Sequence, residues 1–282
     1  MITRQRLQAG VLSLVFFFAF CFMWHATTRP EPPDPELAGM DAEYLELIGA
    51  SAKGETNPMP GPIEVGQKIW EHVKNPFYYN GANDRGIGTQ LLFSLYRVAK
   101  GYLLAVLIAV PLGFVIGMSP VLSKALDPFI QILKPVSPLA WMPLALYTIK
   151  DSEPCSIFVI FICAIWPVLI NTAFGVSAVR KDYLNVAKTL EAGRLRTALF
   201  VILPAAAPTI LTGMRISIGI AWLVIVAAEM LIGGTGIGYF VWNEWNNLDI
   251  TNVIVAIIFI GVIGMALDWL LAGLTKAVTY AE

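Results

Sequence analysis

Apolar residues fall in six long runs, and the polar residues collect between them. The runs cover approximately Gln8–Ala26, Leu91–Met118, Leu126–Ile149, Ser156–Ser177, Ala207–Ile232 and Val253–Thr275. A helix of about 20 apolar residues crosses the roughly 30 Å hydrocarbon core of a bilayer, so each run predicts a transmembrane span. The second run would be roughly 42 Å long as a helix, which places its start, with Arg97 and Lys100, in the interface. The first run opens on Arg4 and Arg6 and closes on Arg29 and Pro30. It also has the length of a signal peptide, with Ala26, Thr27 and Thr28 as small residues near a cleavage site. A retained helix is favoured, because the later spans need a segment that sets their orientation.

Between the first two runs, residues 27–90 hold ten acids, five bases and repeated Pro and Gly, and must lie in water. Within them Val65, Ile69, Trp70 and Val73 recur at helical spacing, predicting a short amphipathic helix on the membrane surface, against a partner, or packed on its own chain. The expected organisation is a first transmembrane helix at 1–26, a periplasmic segment at 27–90, and a core of five transmembrane helices at 91–282 with a long inner loop at 178–203. With the N terminus inside, the inner segments hold nine cations: Arg4, Arg6, Lys124, Arg180, Lys181, Lys188, Arg194, Arg196 and Lys276. The short outer loops hold only Lys150, and the 27–90 segment exceeds the roughly 60-residue length within which positive charge sets orientation. Both termini are predicted to be cytoplasmic.

Composition narrows the function. Of 282 residues, 57% are hydrophobic and 14% charged, against roughly 25% charged in soluble domains, which identifies an all-α integral membrane protein. A net charge of −1 excludes a nucleic-acid binder driven by a basic surface. Cys21, Cys155 and Cys163 suggest no disulfide framework. The sequence has no phosphate-binding loop of the G-x-x-x-x-G-K-[ST] type, so any ATP would be bound by another chain. Gly233, Gly234, Gly236 and Gly238 mimic a dinucleotide fingerprint but follow an apolar helix rather than a strand, and read as a flexible outer turn. His25 and His72 lie outside the membrane, leaving no imidazole there for a catalytic or metal centre. No enzyme is expected, and no cofactor or metal on this chain.

The inner loop carries Tyr183, Val186, Ala187 and Leu190 at spacings of three and four, giving a short helix with an apolar stripe and a cationic back. Such a helix either docks into a partner's groove or touches only lipid headgroups. From Asn185 through Leu190 to Ile202-Leu203-Pro204, and on through Pro208, Thr212, Gly213 and Arg215, the loop resembles that of binding-protein-dependent ABC importer permeases. Aligned on Leu203-Pro204, the family's Glu-Ala-Ala falls on Asn185, Val186 and Ala187, and its glycine on Glu191. Glu191-Ala192-Gly193 is therefore out of register. The segments Asn75-Pro-Phe-Tyr-Tyr-Asn-Gly81, Pro135-Val-Ser-Pro-Leu-Ala-Trp-Met-Pro143, Ile165-Trp-Pro-Val-Leu-Ile-Asn171 and Ile225-Val-Ala-Ala-Glu-Met230 resemble the nitrate, bicarbonate and taurine branch. The resemblance spans about Pro60 to Trp269.

It implies a type I importer fold and a homodimer in the bacterial inner membrane. Two cytoplasmic ATPases would bind ATP and Mg, and an external or lipid-anchored binding protein would deliver substrate. Nitrate or nitrite is expected first, bicarbonate second and sulfonate third. Asn185, Val186, Ala187, Lys188, Leu190 and Glu191 would form the ATPase-coupling helix. A stand-alone secondary anion transporter is the competing class, but it predicts an inverted repeat and a mid-membrane carboxylate site that the sequence lacks.

Polar residues inside spans are functional candidates by default. Arg215 and Asp268 lie at similar depth in the antiparallel fifth and sixth runs and predict a buried ion pair; alternatively Arg215 faces the pathway and attracts the anion. Glu229, roughly 21 Å further out than Arg215, would repel an anion and is assigned to structure or gating. Pro135, Pro138 and Pro143 cannot leave the third run a regular helix, and broken backbone in a membrane is buried in protein or lines a wet cavity. Ser137, Trp141 and Asn171 are therefore candidate pathway residues, with the satisfaction of local carbonyls as the other reading of Ser137 and Asn171.

Overall fold

The computed structural model describes residues 2–29, 59–81 and 84–278. Most of the Pro-rich acidic stretch expected outside the membrane falls outside the described residues. The chain divides into two units, Met1–Asn75 with Glu244–Val255, and Pro76–Asn243 with Ala256–Glu282. The helices among the described residues are α1 (Ile2–Thr27), α2 (Pro62–Lys74), α3 (Ile87–Met118), α4 (Pro120–Leu133), α5 (Pro138–Ile149), α6 (Ser152–Ser177), α7 (Lys181–Thr189), α8 (Arg194–Thr197), α9 (Leu203–Ile232), α10 (Ile237–Asn246) and α11 (Ile250–Val278).

Among the described residues, five helical stretches are long and apolar enough to span a membrane: Leu7–Thr27, Ile87–Met118, Ser152–Ser177, Arg194–Ile232 and Ile250–Lys276. The third predicted run is two helices, α4 and α5, bent by 91°. Its break falls on Lys134-Pro135-Val136-Ser137, because Pro135 has no N–H to continue the α4 ladder and Pro138 takes the first turn of α5, where its missing N–H costs nothing. The count is five, or six with the bent pair as one span. Pro143 remains inside α5, just as Pro111, Pro128, Pro167 and Pro208 are absorbed within the other helices.

The second unit is built on α3, α6 and α9, with α5 against α6 and α9. Small residues let these helices approach. Gly101, Ala105, Ala109 and Gly113 form one buried stripe of α3. A Cβ on Gly101 would stand 2.7 Å from Ile160 Cβ, and one on Gly113 2.7 Å from the Leu169 carbonyl. Gly213 likewise admits Asn171. Close backbone approach is what associates helices in a bilayer, where no hydrophobic drive separates helix from lipid. Buried hydroxyls satisfy carbonyls across the same contacts: Ser217 donates to Ala164 O at 2.6 Å and Tyr102 to Met214 O at 3.1 Å.

Candidate functional site

The loop between α6 and α9 folds as α7, α8 and a single π-helical turn, Ala198–Ile202, that runs directly into α9. α7 is anchored by Ala187, which is buried. Tyr183, Val186 and Leu190 form an exposed stripe, with Leu190 75% exposed. Asn185 and Lys188 are exposed beside it. The stripe borders an apolar groove of about 600 Å³ whose far wall is Phe200, Val201 and Ala205. The C-terminal end of α7 is closed by Ala192 N donating to Ala187 O at 3.0 Å and Glu191 N to Lys188 O at 3.0 Å. That closure puts Glu191 at φ 49°, the left-handed region in which glycine is favoured. The position at which the resemblance expects glycine is thus one whose backbone favours it, and this chain carries a glutamate there.

Arg215 and Asp268 meet in a bidentate pair, with Nε to Oδ1 and Nη2 to Oδ2 both at 2.5 Å. The pair was expected to be buried, and it is not: each side chain is 45% exposed within the chain. α11 meets α9 along one edge, fastened by this pair and, two turns away, by Trp222 Nε1 donating to Ile260 O at 2.9 Å. The side chains of the pair therefore reach the rim of the contact rather than its centre. Arg215→Ala is expected to reduce the yield of folded protein, with partial recovery when Asp268→Asn is added, read by size-exclusion chromatography in detergent. A fully folded Arg215→Ala chain would remove the structural role.

The remaining candidates make local contacts. Ser137 caps α5, accepting from Leu139 N at 3.3 Å, and Asn171 donates to Pro167 O at 2.8 Å within α6. Trp141 is half-buried on α5. A cavity of about 160 Å³ beside the α4–α5 break is lined by Lys134, Pro138, Cys163, Trp166 and Ile220, and by none of Ser137, Trp141, Asn171 and Arg215. Sequence reasoning gave Lys134 no role.

Sequence reasoning also missed the strongest polar cluster. Glu229, on the last turn of α9, is almost fully buried and pairs with Arg97 of α3 at 2.7 Å. The Ser94 hydroxyl lies 2.8–2.9 Å from both carboxylate oxygens and accepts from Ile237 N at 2.9 Å. Gly238 N donates to Glu229 at 3.0 Å, Arg97 Nη1 to Thr235 O at 2.5 Å, and Gly236 N to Gln90 Oε1 at 2.7 Å. Arg97, expected at the interfacial start of the second run, is buried in this cluster, and the glycine turn expected to be flexible is hydrogen-bonded to Gln90 and Glu229. The turn is clamped onto α3, and a Cβ on Gly236 would collide with the Glu229 carboxylate. Matching charges by depth in the second and fifth runs would have found this pair, since Arg97 lies near the start of one and Glu229 near the end of the other, which runs antiparallel to it.

The described residues thus form a bundle of apolar helices with an exposed apolar stripe on a short helix between two of the spans. Residues 109–280 match the family of binding-protein-dependent transport system inner membrane components, and the chain belongs to that family. It is 45% identical over 229 residues to the nitrate import permease protein NrtB of Synechocystis sp., covering 81% of this chain and 83% of that protein. Identity to NrtB of Leptolyngbya laminosa is 48% over 221 residues, covering 78% and 79%. Identity to the bicarbonate transport system permease protein CmpB of Synechocystis sp. is 45% over 222 residues, covering 78% and 79%. An inward-facing structure of the MetNI methionine ABC transporter shares the fold, with TM-score 0.60 and 13% identity over 68% of this chain and 95% of that one.

Proposed function

We propose that this permease subunit imports nitrate or nitrite. The observation that carries the reading is the 45–48% identity to nitrate import permeases over about four-fifths of the chain. Bicarbonate is the second reading, favoured by the 45% identity to CmpB over a similar length. The chain works as a homodimer in the bacterial inner membrane, its first span retained and both termini cytoplasmic. The half-exposed Arg215–Asp268 pair supports the dimer: intramembrane charges face a protein interior or a wet cavity, so a second copy or the pathway covers this surface rather than lipid. α7 is the coupling helix, its Tyr183–Val186–Leu190 stripe seated in an ATPase groove. Separate ATPase subunits bind ATP and Mg and carry out hydrolysis, and an external binding protein delivers the anion. ATPase closure displaces α7, and the π turn passes the displacement into α9.

The test is ATP hydrolysis by the reconstituted complex with its binding protein. Nitrate-loaded binding protein is expected to stimulate hydrolysis well above the unloaded protein, and bicarbonate to leave it near the basal rate. Stimulation by bicarbonate alone reverses the order of the two readings.

A further inference from the structure

α2 shows three distinct sides. Val65 and His72 face inward, 2% and 5% exposed. Glu64 and Glu71 lie on a polar side with Lys68, which pairs with Glu71 at 3.0 Å. A third side carries Ile63, Trp70 and Val73, exposed by 63%, 60% and 49%. The Lys74 ammonium lies over the Trp70 ring, 5.4 Å from its centroid.

Both ends of α2 are tied to the ends of membrane spans. Trp24 Nε1 donates to Pro60 O at 3.1 Å just before α2 begins. The apolar stretch of α1, Leu7–Thr27, is 21 residues. It would be roughly 31 Å long, which matches the hydrocarbon core and puts Trp24 within one turn of its edge. At the other end, His72 Nε2 lies 2.9 Å from Asn252 Oδ1. Asn252 stands in the first turn of α11, where it also donates to Glu244 and Asp249, both at 3.0 Å. The ties at Pro60 and His72 are separated by about three turns of α2 and both sit at a membrane boundary. A helix pinned at that level at both ends lies along the surface.

We propose that α2 rests in the headgroup layer of the leaflet at the Trp24 end of α1, with Ile63, Trp70 and Val73 inserted among the acyl chains. The occupant of the apolar side is lipid rather than a soluble partner, because the level of α2 is fixed by α1, whose apolar stretch has no residue buried within the chain. An apolar side that carries Trp with Lys beside it is the composition that this layer selects. The site is independent of which anion the transporter carries.

The experiment places p-benzoylphenylalanine at Ile63, Trp70 or Val73, at Glu64 or Glu71, and at Phe17 on α1 as a lipid-facing reference, in the full chain in cell membranes with its partners present. Irradiation is expected to yield phospholipid adducts at 63, 70 and 73 as at 17, and none at 64 and 71, read by mass. Adducts at 70 with an external protein, or none at 70 while 17 reacts, overturn the proposal. Trp70→Phe gives an independent reading that spares the packed side of α2. In liposomes of brominated phosphatidylcholine, the fluorescence lost in this variant is expected to be the lipid-quenched component; a loss confined to acrylamide-quenched emission refutes insertion.

Discussion

Val186→Glu combined with Leu190→Glu is expected to abolish transport while leaving the protein inserted and folded. Both side chains are exposed, so the chain alone loses no packing when they change. Seated in an apolar partner groove, each would bury an unpaired carboxylate, and apolar anchors at interfaces contribute about 2 kcal/mol or more, roughly 30-fold in affinity each. The expected result is loss of co-purifying ATPase and of substrate-stimulated hydrolysis, with normal membrane yield. Ala187 is unsuited to this test: it is buried, so Ala187→Glu would disturb the loop itself. Undiminished co-purification and transport in the double variant would remove α7 from the coupling role.

Glu229→Ala is expected to have the largest effect on stability. It strips Arg97 of its carboxylate inside the bundle and leaves Gly238 N–H and Ser94 without their acceptor. Breaking a buried pair by removing one partner costs about 3–5 kcal/mol, a large share of the 5–15 kcal/mol that holds a typical fold. The temperature at which the detergent-solubilised protein aggregates should fall sharply. Arg97→Met together with Glu229→Met should fall by less than the sum of the single changes, since no charge is then left alone. Gly236→Ala should resemble Glu229→Ala, because its methyl group occupies the space of the same carboxylate. Single variants as stable as the parent would show that the clamp does not hold the outer turn.

The spans were legible because a bilayer demands long apolar helices, and the break at Pro135 was legible because proline cannot be absorbed three times in nine residues. The position of that break was less so: Pro143 stays helical, because surrounding helices tolerate one missing N–H. The Arg215–Asp268 contact followed from matching depths along antiparallel helices, but its exposure depends on how far α11 lies from the bundle, which no spacing encodes. The Arg97–Glu229 clamp was overlooked because the length of the second run sent Arg97 to the interface, while the glycines beside Glu229 looked loose. Gly236 and Gly238 are small because a carboxylate and a carbonyl fill the space a side chain would need. On α7, the register that put the family's glycine at Glu191 coincides with the left-handed residue that ends the helix, a link between alignment and backbone that the residue type itself conceals.

Uptake of labelled nitrate and of labelled bicarbonate into proteoliposomes, with ATP inside and the binding protein outside, tests the central claim most directly. The account predicts nitrate uptake that requires both ATP and the binding protein and disappears in the Val186→Glu, Leu190→Glu variant. Uptake of either anion without ATP would contradict it and make the chain a stand-alone transporter.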